Sequence, residues 1–258
     1  APTCVGGTGA PPMSVTADFG SGVQTRKFYS AYFVLDITNP EVAPTLLMSF
    51  TDEGLGLTTS IPKVVRVNPS ADGEVSNTNA KWYMVVGSGP TGYGGVVTQS
   101  AKVYAVNLAT GPGANNSLVQ SFSVGSWSSF IGDMASFDRN LDYRTDAVYF
   151  GRVIHDGSLP WRGKLYRLTL GETVTGSNPP VFGTQAASAW GIASGSNRIP
   201  TEILDTFTGT CAPTPCVAPT IELGPVATAP GIVVDDTAKV WVFAGTGRYY
   251  SAADKTDT

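Results

Sequence analysis

Apolar and polar side chains alternate in short runs through much of this 258-residue chain, and Gly, Pro, Asn, Asp and Thr bound the runs. A period of two puts successive side chains on opposite faces of an extended backbone, so the pattern predicts strands. The first firm strand spans 28–37 and stops at Thr38-Asn39-Pro40; a second spans 46–50. A recurring order then begins. Strand 61–67 is followed by a polar loop at 68–80, strand 82–87 ending on Gly87, strand 102–108, a turn at Ala109-Thr110-Gly111 and strand 118–124. The order returns as strand 131–137, loop 138–146, strand 147–151 ending on Gly151, and strand 164–170. A further copy runs 230–234, Asp235-Asp236-Thr237, then 239–245 ending on Gly245.

Repeated units of three or four strands with tight turns are the signature of β-propeller blades, which cannot bury both faces alone and stack around an axis. Glycine at the end of the second strand would let backbones crowd there. The expectation is an all-β chain carrying parts of about four blades of an incomplete propeller over 28–258. Residues 1–27 are rich in Gly, Pro, Ser and Thr, and read as a loop, linker or edge strand with one alternation at Met13, Val15, Ala17 and Phe19. A β-sandwich of similar strands is the alternative architecture.

Composition narrows the partners. Charged residues make up 14%, while Gly (30) and Pro (18) are plentiful, which suits strands and turns. With a net charge of −4 and no block of Lys or Arg, nucleic acid is not expected as a partner. No apolar run reaches the ~18 residues of a membrane span. The start at Ala1-Pro2-Thr3-Cys4 shows no signal peptide, leaving a cleaved or cropped one open.

The three cysteines are Cys4, Cys211 and Cys216. Cys211 and Cys216 enclose Ala-Pro-Thr-Pro, too tight for a zinc knuckle, and no second Cys/His pair accompanies them. A small disulfide loop in an oxidising compartment is the expectation, two free thiols on a loop the alternative. Cys4 is left to pair outside this chain.

Candidate chemistry concentrates in 138–146. Asp138, Asn140, Asp142 and Asp146 place side-chain oxygens at positions one, three, five and nine, and Arg144 at position seven can offer its carbonyl. This is the alternate-residue layout of a loop that wraps a hard cation such as Ca²⁺. Three carboxylates so close repel one another, and a divalent ion removes that cost. The sixth position usually takes Gly and here holds Tyr143; the twelfth is Tyr149 rather than Glu, so any likeness to an EF-hand ends with the loop. A solvated acidic turn is the competing reading. The loop one unit earlier holds Asp72 and Glu74 without the spacing, and the one at 235–238 is too short.

Catalysis finds little footing. His155 is the sole histidine and is expected in a solvated loop beside Asp156. No Gly-x-Ser-x-Gly elbow occurs, and Gly245-Thr246-Gly247 leads into Arg248-Tyr249-Tyr250 rather than a helix. The chain is therefore not expected to be an enzyme.

Several stretches, in this order, resemble the C-terminal β-propeller of the PilC/PilY family of type IV pilus biogenesis and tip-adhesin proteins. They are Val-Leu-Asp-Ile-Thr-Asn-Pro (34–40), Phe-Thr-Asp followed by Leu-Gly (50–56), Val-Tyr-Ala-Val-Asn-Leu-Ala-Thr-Gly (103–111), the acidic loop with Ala-Val-Tyr-Phe-Gly (138–151), Lys-Leu-Tyr-Arg-Leu (164–168) and Phe-Ala-Gly-Thr-Gly-Arg-Tyr (243–249). The resemblance implies an extracellular, cell-surface bacterial protein at the pilus tip that works with minor pilins and meets host or abiotic surfaces. It also implies that Ca²⁺ occupancy biases pilus extension against retraction, hence twitching motility and attachment. Carried over by position, the ligands are Asp138, Asn140, Asp142, Asp146 and the Arg144 carbonyl. The von Willebrand-like domain of some members and an Arg-Gly-Asp triplet do not appear, so integrin-type and mechanosensing roles are not carried over.

Two rivals remain. A quinoprotein dehydrogenase would also be a Ca²⁺-bearing propeller, but such enzymes use a vicinal Cys-Cys disulfide and a stacking Trp. Here the cysteines are separated, and Trp82, Trp190 and Trp241 read as strand and core residues. A carbohydrate-binding module would use loop aromatics such as Tyr93, Trp127 and Trp161; anchoring of the loops is their simpler role.

Overall fold

Strands, turns and three-residue 3-10 helices account for the secondary structure, and the described residues contain no α-helix. The structure is a computed structural model that describes residues 13–18, 20–28, 30–67, 80–155, 161–174, 181–184, 186–207, 221–250 and 254. The chain is all-β, as its alternation predicts. No helix among the described residues is long and apolar enough to cross a membrane.

Two hairpins come first: β1 (Met13–Asp18) with β2 (Val23–Phe28), and β3 (Tyr32–Asp36) with β4 (Thr45–Phe50). The predicted strand 28–37 is thus divided, with Phe28 ending one hairpin and Tyr32 opening the next. Residues 1–27, read as loop or a single edge strand, hold most of a full hairpin. Its turn is set by Asp18, whose carboxylate accepts from the Gly20 and Gly22 N–H groups.

The centre is a seven-stranded antiparallel sheet. In chain order its strands are β5 (Lys63–Val67), β6 (Lys81–Gly87), β7 (Ser100–Asn107), β8 (Gln120–Phe137), β9 (Ala147–Ile154) and β10 (Arg162–Thr169). Four strands that the alternation left unread follow: β11 (Gly171–Val174), β12 (Val181–Thr184), β13 (Ile192–Ser194) and β14 (Asn197–Ile199). The seventh member of the sheet is β15 (Thr201–Leu204), paired on β10. Each strand from β5 to β10 pairs with its chain neighbour. Strand β8 joins two four-stranded meanders: residues 120–128 pair with β7, and 129–137 pair with β9. The separate strands predicted at 118–124 and 131–137 are therefore one 18-residue strand. Its run through Gly125 needs a left-handed φ of 76°, and a Cβ there would overlap the Arg152 guanidinium. Beyond the sheet lie β16 (Thr206–Phe207) with β17 (Ile221–Glu222), and β18 (Gly231–Val234) with β19 (Val240–Phe243).

Strand β9 is buried at every position. One of its faces, Val148 and Phe150, joins the main core with Val85, Val103, Phe122, Met134, Leu168 and Trp190. Trp190 is fully buried; its ring meets Tyr83 edge-on at 5.1 Å and lies parallel to Phe122 at 6.3 Å. Such aromatic pairs add about 0.5–1.5 kcal/mol beyond area burial. The glycines predicted to permit crowding divide. A Cβ on Gly87 would overlap Ile131 and one on Gly151 would overlap the Val226 carbonyl oxygen, whereas Gly245 faces open space.

Candidate metal-binding loop

Phe137 at the end of β8 stands opposite Ala147 at the start of β9, so pairing continues up to the acidic loop. The Asp146 N–H donates to the Phe137 carbonyl at 2.8 Å and closes the neck. Within the loop the backbone twice enters the left-handed region, at Leu141 (φ 58°) and Tyr143 (φ 64°). For a residue with a Cβ that costs about 1–2 kcal/mol. Tyr143 therefore makes the turn that glycine makes at the sixth position, with its side chain 76% exposed.

The carboxylates hold this path together. Asp138 accepts from the Asp142 and Tyr143 N–H groups at 3.3 and 2.8 Å. Asp142 accepts from the Arg144 N–H at 2.9 Å and from the Asn140 side-chain amide at 3.2 Å. Asp146 accepts from the Arg139 N–H at 2.6 Å. Burial pushes the Asp146 carboxyl up to about 6; the Arg139 N–H opposes the rise, and the nearby Asp138 and Asp142 charges add to it. Arg144 contributes more than the carbonyl expected of it. Its buried side chain brings Nε to 3.2 Å from Asp142 Oδ2, an ion pair within the loop.

The loop is tied to both neighbours. Thr145 donates its N–H to the Arg66 carbonyl at 2.8 Å, and its hydroxyl accepts from the Arg66 N–H at 3.3 Å, both on β5. Arg139 donates to the Ala238 carbonyl at 3.1 Å in the turn before β19. Among the described residues, no three Asp, Glu, His or Cys side chains converge on one point as a preformed metal cage. The loop carboxylates instead face its own N–H groups. Asp142 Oδ2 already faces both the Asn140 amide and Arg144 Nε, whereas the Asp138 and Asp146 carboxylates keep lone pairs, and oxygen donors of this kind are those a hard cation takes.

Other predicted residues have distinct fates. Cys4, Cys211, Cys216, Asp72, Glu74 and Asp156 lie outside the described residues, as does the Tyr93 side chain. His155 does not stand alone in solvent: its ring stacks on Trp161 at 4.0 Å, and the Arg248 guanidinium covers the same indole at 3.7 Å. Trp161 packs beside Phe130, Val153 and Val97. Trp127 is half exposed beneath Arg162 at 4.4 Å. Trp190 is core, whereas Trp82 and Trp241 are half exposed. The short 235–238 turn is a capped turn: Asp235 accepts from the Thr237 hydroxyl, the Thr237 and Lys239 N–H groups and the Trp241 indole.

The class defined by the described residues is an all-β chain of consecutive antiparallel meanders with a carboxylate-rich loop at a strand junction. No protein-family model matches the sequence, and none of the curated proteins does. Among solved structures, the fold is similar to the crystal structure of the Pseudomonas aeruginosa PilY1 C-terminal domain. The TM-score is 0.57 with 21% identity, over 96% of this chain and 47% of that one. The chain thus spans about half the length of that structure.

Proposed function

We propose that the chain is part of a β-propeller from a type IV pilus tip-associated adhesin or biogenesis factor, displayed outside the cell, whose acidic loop binds Ca²⁺. The observation that carries this reading is the likeness in fold to the PilY1 C-terminal domain along nearly the whole chain. The two meanders sharing β8 have the form of consecutive blades, the last strand of one running into the first of the next.

Asp138, Asn140, Asp142 and Asp146, with the Arg144 carbonyl, would hold the ion. Bound there, Ca²⁺ supplies the positive charge that offsets carboxylate repulsion. The chain's own residues do the rest. The carboxylates hold the loop backbone, Thr145 ties it to β5, and Arg139 ties it to the turn before β19. A loop so connected links its own order to that of two neighbouring segments, which is the means by which occupancy would bias docking of minor pilins or attachment to a host or abiotic surface. The role is one of binding rather than catalysis.

The test is calorimetric titration of Ca²⁺ into chelator-stripped protein beside an Asp142→Ala/Asp146→Ala variant, with piliation and twitching scored in cells carrying Asp146→Ala. One site, lost in the double variant, with altered piliation is the expected result. Calcium binding and piliation both intact in Asp146→Ala would overturn the reading.

A further inference from the structure

A cleft of about 550 Å³ opens on the sheet face opposite the main core, where β8 and β10 end and β9 begins. Its floor follows from register. Phe137, Ala147 and Thr169 form one row across the three strands, and Tyr149 and Arg167 stand side by side in the next. Alternation sends Val148, Phe150, Tyr166 and Leu168 to the other face, into the core. Arg139 from the acidic loop, Ile192 of β13 and Arg198 of β14 complete the walls. Three arginines therefore line one cleft in a chain of net charge −4, against a single acidic residue, Asp146.

Two of these cations have work within the fold. Arg198 donates to the Trp190 and Gly191 carbonyls, and Arg139 to that of Ala238. Arg167 differs: its Nε is buried and meets no acceptor among the described residues. Directly across the β10–β15 ladder, the Thr201 hydroxyl is also buried and equally without a partner there. Buried polar atoms are almost always bonded, and leaving them bare is costly. Of the two residues Arg167 lines the cleft, and its guanidinium, uncommitted within the described fold, is the group left to meet a ligand's acceptors there.

We infer that this cleft binds an acidic saccharide, its carboxylate held by the arginines and its ring set against Tyr149 and Phe137. The volume is that of a site for a molecule of one or two rings. Guanidinium groups suit a planar carboxylate, and aromatic side chains suit the apolar face of a sugar ring. Asp146 would repel a bare anion but accepts hydrogen bonds from hydroxyl groups, which a sugar acid carries and a simple oxyanion lacks. The cleft shares Arg139 and Asp146 with the acidic loop, whereas Arg167 and Arg198 belong to β10 and β14, so variants at those strands test the cleft without touching the loop's carboxylates.

The test is calorimetric titration of D-glucuronate and its disaccharide, with D-glucose, acetate and inorganic phosphate as separate probes, in chelator and again in excess Ca²⁺. Saturable glucuronate binding stronger than that of every other monomeric probe is expected, weakened at least about tenfold by Arg167→Met, as for loss of a charged hydrogen bond. Since Arg167 Nε has no partner among the described residues to lose, that variant should melt no lower than the parent. Ile192→Glu, at a half-exposed wall position, places a like charge at the site without disturbing the core and should also weaken binding. Glucose or phosphate binding as tightly as glucuronate would overturn the assignment, as would no saturable glucuronate binding in either condition. So would undiminished binding by both variants.

Discussion

At the scale of single residues, Tyr143 and Asp235 show how a turn is held with and without a suitable amino acid. Tyr143 adopts a φ of 64° with its side chain in solvent, so backbone strain has no packing gain to offset it. Replacing it with glycine removes the strain and adds some unfolded-state entropy, leaving a gain of up to about 1 kcal/mol. Urea denaturation of metal-free Tyr143→Gly should show a higher midpoint with an unchanged slope; a lower midpoint would mean that the tyrosine ring has an unrecognised contact. Asp235 is the opposite case, a residue matched to its turn. The Thr237 hydroxyl and the Trp241 indole, with the Lys239 and Thr237 N–H groups, hold its carboxyl down at about 2. An unfolded aspartate titrates near ~3.9. Between these values the unfolded state binds more protons, so the stability from this turn is present above pH ~4 and lost as pH falls towards 2. Trp241 fluorescence followed through an acid titration should report loosening in that window, and Asp235→Asn should flatten it.

At the scale of elements, glycines on three adjacent strands, Gly132 of β8, Gly151 of β9 and Gly163 of β10, let the backbone of 224–227 lie close against the sheet. Because the Val226 carbonyl occupies the space beside Gly151, Gly151→Ala must displace backbone and should destabilise by about 1–3 kcal/mol or more in thermal or urea unfolding. Gly245→Ala, facing open space, is the control and should stay within about 0.5 kcal/mol. Equal effects of the two would refute the packing argument. The main strands were legible because alternating and continuous apolar runs mark the strands from β5 to β10 well. The fusion of 118–124 with 131–137 into β8 was not legible. The intervening Gly125-Ser126-Trp127-Ser128 has the composition of a turn, and only pairing to β7 on one side and β9 on the other keeps it extended. The short strands between 171 and 222 likewise escaped notice, since two to four residues are too few to establish a period.

At the scale of the whole molecule, the two outlying hairpins present apolar side chains to solvent. Phe33 and Leu35 of β3 are exposed, as are Val233 and Phe243 of the β18–β19 hairpin. Soluble surfaces rarely leave such contiguous faces bare. The chain should therefore associate as its concentration rises in sedimentation velocity, and Val233→Thr/Phe243→Thr should reduce that association. Unchanged sedimentation at all concentrations would show that these faces are tolerated in water.

The acidic loop and the basic cleft illustrate the division between sequence and tertiary structure. Spacing alone determined that Asp138, Asn140, Asp142 and Asp146 share one short loop, because a loop's donors are neighbours in the chain. Alternation likewise determined that the protein is all-β. Only tertiary structure decided that Arg144 faces Asp142, that His155 lies on Trp161, and that Arg139, Arg167 and Arg198 meet in one cleft. Those residues belong to different elements, or to a loop whose turns set where each side chain goes. Strand register and loop docking, rather than distance along the chain, bring them together.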